Sequence, residues 1–124
     1  MSQRRIARVL LANLDTVTRS GIVQEFADDG IEVIGQEQSH EGIVFTASIA
    51  TPDVIVIDGD SHGAPELRER LRRAAPDAKL ILLPRDEVWP TILDPQAGRP
   101  RLIPPPVLEA LRNELRESRP RIEE

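Results

Sequence analysis

Residues Asp53–Asp60 read DVIVIDGD. Four consecutive branched aliphatics, Val54–Ile57, favour an extended chain. No polar residue alternates with them, so a strand here is covered on both faces. The run stops at Asp58 and Gly59. A strand of this kind carries a carboxylate to the edge of a buried sheet, and the rest of the chain has to supply both that sheet and any chemistry around Asp58.

Upstream, RVLLA (Arg8–Ala12) is a second apolar run, followed by NLDT. Asp15 or Thr16 is suited to cap a helix. Ile22/Phe26 and Val23/Ala27 pair along it at i, i+4. Asp28–Gly30 ends the helix, with Gly30 suited to a left-handed stop. IEVIG (Ile31–Gly35) alternates like a strand. Ser39 caps a helix over about His40–Ala50, with Ile43, Val44, Ala47 and Ile49 as its apolar side. Downstream, Pro65 opens a third helix bearing Leu67 and Leu71, and KLILL (Lys79–Leu83) is a fourth strand. Prolines 84, 90, 95 and 100 then break the chain. An interior proline costs a helix about 3 kcal/mol, so a fourth helix is short or irregular. RLI (Arg101–Ile103) is the fifth strand, and a last helix over about 107–118 carries Val107, Leu108, Leu111 and Leu115 on one face.

Strands alternating with helices imply a doubly wound parallel sheet. The reading is a flavodoxin-like (βα)5 fold with strand order 2-1-3-4-5. One domain covers residues 1–118, and 119–124 form a tail. In this fold the functional crevice lies at the carboxyl ends of the first and third strands, which places Asn13, Leu14, Asp15 and Asp58 there.

Composition narrows the function. The chain has 124 residues, no cysteine, two histidines and a formal net charge of −5. Thiolate sites and disulfides are excluded, and the acidic balance argues against nucleic acid binding. No apolar run approaches the roughly 18 residues of a membrane span. MSQRRIARVLLANLD lacks a small-residue cleavage site, so it reads as a strand and not a leader. A cytoplasmic location follows as the expectation. The Met1 start and the PRIEE end suggest a stand-alone chain.

The five segments in order resemble the receiver domains of bacterial two-component response regulators, over roughly residues 6–118. PDVIVIDGDSHG is similar to the family's third-strand segment, and Asp58 falls on its phosphoacceptor. RVLLANLDTVTRSGI resembles the first strand and helix. APDAKLILL and RLIPPPVLEALRNEL resemble the fourth-strand and fifth-strand segments. The resemblance implies a metal-binding acidic pair, a lysine and a switch hydroxyl around Asp58, and several of these are absent. The acidic pair aligns with Asn13 and Leu14, and leucine cannot bind a metal. Asp15 follows one residue late, and Asp60 lies two residues beyond the acceptor. The lysine position is Pro105, with no lysine anywhere after Lys79. Arg101 substitutes only if the fifth strand shifts register, and a guanidinium fork differs in geometry from an ammonium. The switch position is Pro84, which has no hydroxyl. An uncompensated cluster of Asp58, Asp60 and Asp15 is expected to raise one carboxyl pKa.

Other residues offer less. His62 is a loop histidine near the crevice, and Ser61 beside it cannot form a triad with its chain neighbours. His40 is expected to be exposed. No Gly-rich phosphate loop follows the first strand. Trp89 either fills the space of a poor fourth helix or anchors an interface. The mixed charges of the last helix read as a solvated face.

The expectation is a receiver-like signalling domain, not an enzyme. It is degenerate for metal-dependent phosphorylation, holds no cofactor, and binds a protein partner or its own copy. The alternatives are a working phosphorelay receiver that takes phosphate on Asp58 from a histidine kinase with Mg2+, and a small-molecule sensor using Asn13, Leu14 and Pro84.

Overall fold

The computed structural model describes residues 7–26, 31–59, 63–83, 90–95, 99–102, 110 and 113–114. Strand β1 (Ala7–Ala12) leads to helix α1 (Thr16–Phe26), and β2 (Ile31–Glu37) to α2 (His40–Ala50). Strand β3 (Val54–Asp58) is followed by α3 (Ala64–Ala74), then β4 (Lys79–Leu83), β5 (Thr91–Leu93) and β6 (Pro100–Leu102). The six strands form one sheet in the order β2-β1-β3-β4-β5-β6. The first four pair in parallel, whereas β5 is antiparallel to both β4 and β6. Ala110, Asn113 and Glu114 are helical. The fold is flavodoxin-like α/β.

The order expected from the sequence holds through β4, and the far edge differs. Thr91–Leu93 forms an additional strand, and the predicted fifth strand becomes the sixth. A parallel return needs a crossover of about a dozen residues or more. Only residues 84–90 lie between β4 and β5, so the chain comes back antiparallel. Pro100 sits on the outermost strand, where its missing N–H interrupts no inner ladder. The predicted fourth helix falls mostly on residues outside those described, as do most of the last helix and the 119–124 tail.

Side-chain alternation along the strands divides the core into two layers. Val9, Leu11, Val54, Val56, Ile81 and Ile92 face α1, where Ile22 and Val23 pack with them, and Ala110 joins that layer. Leu10, Ile55, Ile57 and Leu80 face α2 and α3, which supply Ile43, Ala47, Leu67 and Leu71. Ser39 caps α2 as expected, its Oγ accepting from the Gly42 N–H at 3.0 Å. Ile49 departs from expectation. It stands with Phe45 on the solvent side of α2, at 66% and 64% exposed. Ile43 and Ala47 are one i, i+4 row on that helix, and Phe45 and Ile49 lie two residues round from it, about 200° away.

Candidate functional site

The carboxyl edge of the sheet brings together some of the predicted site residues. Ala12 pairs with Ile57, so Asn13 and Asp58 are the next residues of adjacent strands. Asp58 pairs with Leu83, and the Gly59 N–H donates to the Leu83 carbonyl at 3.0 Å. Asp58 is buried, 8% exposed, and its parity puts it on the α1 side with Val54 and Val56.

Asn13 is half-buried and left-handed, with φ 55°. Asparagine is one of the few residues that take this conformation readily. Its N–H donates to the Glu37 carbonyl at 2.8 Å, which carries the β1–β2 pairing one residue past the strand. The turn sends Leu14 inward. Leu14 is 4% exposed and packs in the layer with Val9, Leu11 and Ile22. The residue that the receiver resemblance aligns with a metal-ligating acid is a core side chain.

Asp15 is committed elsewhere. It precedes α1 and caps it. The Thr18 N–H donates to Oδ1 at 2.8 Å and the Thr18 hydroxyl to Oδ2 at 2.8 Å. The Thr18 N–H first, and then its hydroxyl, hold this carboxyl below the usual range. Of the three acids expected to cluster, Asp15 faces the first turn of α1 and lies in solvent, and Asp60 lies outside the described residues. Asp60, Ser61, His62, Pro84, Trp89 and Pro105 lie outside the described residues. Among the described residues no group of three or more histidines or acids is placed to hold a metal ion. His40 is half-buried and not exposed as expected, with its ring against Gly63.

A charge cluster that sequence reasoning missed lies at the opposite end of the same strands. Lys79 opens β4 across from Val54, whereas Asp58 is paired with Leu83 at the other end. Four strand steps separate the two ends, roughly 13 Å. The Lys79 Nζ donates to Glu114 at 2.7 Å and lies 3.8 Å from Asp94. Arg101 donates to the same Glu114 oxygen at 2.6 Å and lies 3.9 Å from Asp94. The residue considered as a substitute for the family lysine is therefore engaged in this network. Glu114 is buried, 8% exposed, so the charges of the last helix are not simply a solvated face. Burial alone pushes the Glu114 carboxyl up. The hydrogen bonds from Arg101 and Lys79, together with their charges, outweigh that and hold it below the usual range. The only sequence signal was parity: Lys79 is odd-numbered on β4, like the core-layer residue Ile81.

No family model matches the chain. It is similar to the response regulator GacA of Pseudomonas viridiflava, 33% identical over 91 residues that cover 69% of this chain and 42% of that protein. The GacA of Pseudomonas protegens is 32% identical over 91 residues, covering 69% and 43%. The GacA of Pseudomonas aeruginosa is 31% identical over 96 residues, covering 73% and 44%. The chain thus spans less than half the length of the curated relatives it matches. No helix among the described residues is long and apolar enough to cross a membrane. With the sheet order β2-β1-β3-β4 and Asp58 at the end of β3, this similarity supports placing the chain in the receiver-domain family of response regulators.

Proposed function

We propose that this chain is a receiver-type signalling domain that works as a protein-interaction module without metal-dependent phosphorylation of Asp58. The observation that carries the reading is Leu14, 4% exposed in the core where a metal-ligating carboxylate is needed. Magnesium takes an octahedron of oxygens, with carboxylates among them. Among the described residues the crevice offers the Asp58 carboxylate and the Asn13 carboxamide, and Asp15 is turned to Thr18. That donor set does not fit the ion. The chain's single lysine is at the other end of the sheet, bound to Glu114.

Receivers switch because a phosphoryl group makes contacts in one state that are absent in the other. Without a nearby ammonium and metal, added phosphate has little to contact differentially. A fixed conformation that presents a surface to a kinase, another protein or a second copy is the function left to such a domain. Phe45 and Ile49, one turn apart and exposed on α2, are an apolar pair available for it.

Intact mass spectrometry after incubation with Mg2+ and acetyl phosphate tests this. The expected spectrum is unchanged. A phosphoryl adduct that disappears in Asp58→Asn would establish the rival reading of a working receiver, in which the Asp58 carboxylate attacks phosphorus and acetate departs.

A further inference from the structure

A cleft of about 400 Å³ opens on the α2/α3 face at the amino end of the sheet. Its lining is mostly apolar, with Ala75, Ala78 and Leu80 among the residues, and it includes Arg72, Arg99 and Asp94. Arg72 comes from the last turn of α3, and Arg99 directly precedes β6. The cleft follows from the changed sheet edge. Strands β4 and β5 are joined antiparallel, and among the described residues no helix after α3 covers this end of them.

Several of the cations nearby are paired. Arg70 is paired with Glu41, Arg73 with Glu69, and Lys79 and Arg101 with Glu114. Among the described residues neither Arg72 nor Arg99 has a carboxylate within ion-pair distance. The acid that reaches the cleft, Asp94, is close to Lys79 and Arg101. Two guanidinium-bearing residues without an ion pair in a mostly apolar cleft match a ligand with an anionic head and an apolar body. Guanidinium forks bind carboxylate and phosphate oxygens two at a time. The volume lies within the few hundred Å³ to about 1,000 Å³ of small-molecule sites.

We propose that this cleft is a binding site for a small organic anion, a carboxylate or phosphate ester on a compact apolar group, held by Arg72 and Arg99. The site is at the opposite end of the sheet from Asp58 and does not rest on any reading of that residue.

A titration of the full chain with phenyl phosphate, followed by amide NMR, tests the proposal, with inorganic phosphate and benzyl alcohol as separate arms. Saturable shifts at Ala75, Ala78 and Leu93 are expected with phenyl phosphate at millimolar concentration. The double variant Arg72→Ala/Arg99→Ala should bind roughly tenfold more weakly or worse, as expected for loss of hydrogen bonds to a charged group. Leu93→Trp, which fills the cleft and keeps both arginines, should also weaken binding. Three results would overturn the proposal: no saturable shift at these residues, binding that survives the arginine substitutions, or inorganic phosphate reproducing the phenyl phosphate shifts.

Discussion

At the carboxyl end of the sheet, Leu14 fills the core, Asp15 caps a helix, and Asp58 stands beside the carboxamide-bearing Asn13. At the amino end of the same strands, Lys79, Asp94, Arg101 and Glu114 meet within ion-pair distance on the α1 side. A phosphoryl-accepting receiver needs its charges at the first of these ends. In this chain the lysine and an arginine are spent at the second, where they tie the β5–β6 hairpin and β4 to the helical turn carrying Glu114. The charges gather at the altered sheet edge, and hydrophobic packing occupies position 14 at the other end.

The substitution that tests this contrast most severely is Leu14→Asp, which places an acid where the receiver resemblance implies one. Removing a buried leucine costs about 2–5 kcal/mol, and an unpaired carboxylate in its place adds a desolvation penalty. A loss of about 4 kcal/mol or more is expected in urea unfolding. If Leu14 has displaced a latent metal site, Mg2+ will raise the midpoint of the variant and leave the parent unchanged. A near-neutral Leu14→Asp would mean that position 14 faces solvent and that the two ends are less different than described.

The amino end should break next. Glu114→Ala removes the acid that Lys79 and Arg101 both bind, and loss of one member of a buried ion cluster costs about 3 kcal/mol. Replacing both partners by similar apolar groups, Lys79→Met with Glu114→Leu, should be far milder. A double-mutant cycle on this pair measures the difference.

The same glutamate sets a pH dependence. Its folded pKa is lowered, so its contribution is complete above the ordinary glutamate value of about 4.3. It fades as the pH falls through the lower folded value. The gap in unfolding free energy between the parent and Glu114→Gln should therefore be constant near neutrality and close in acid. A gap that widened below pH 4 would reverse the sign and contradict the geometry of the cluster.

These two regions also differ in how far the sequence reveals them. The uninterrupted aliphatic runs at Leu10–Leu11, Val54–Ile57 and Leu80–Leu83 announce buried parallel strands, and the caps at Asp15 and Ser39 locate α1 and α2. Leu14, Pro84 and Pro105 differ, by identity alone, from the residues that the receiver resemblance implies at the positions they align with. The amino-end cluster draws on four separate segments, and nothing local links Glu114 to Lys79. Strand β5 was missed because Thr91–Leu93 is too short for any periodicity to register, and the prolines around it argue for a break. Its antiparallel direction depends on the shortness of 84–90, a limit on chain reach that side-chain pattern does not express.

The smallest expected effect compares one residue from each end in the same backbone conformation. Asn13 at the carboxyl end has φ 55°, and Thr51, which closes α2 at the amino end, has φ 43°. Asparagine tolerates the left-handed region, while a β-branched residue there is strained, with Cβ crowding the following carbonyl by roughly 1–2 kcal/mol. Thr51 is exposed, and its backbone N–H already donates to the Ala47 carbonyl at 3.2 Å. A side chain is therefore not required for the cap, and glycine is the usual residue at such a helix end. Glycine also loosens the unfolded chain, which offsets part of the gain. Thr51→Gly should then raise stability by about 0.5–1 kcal/mol, and Asn13→Gly should change it by less. Equal gains at the two sites would show that Asn13 is as strained as Thr51, and its left-handed turn, which directs Leu14 into the core, would then be imposed by tertiary packing and not chosen by the residue.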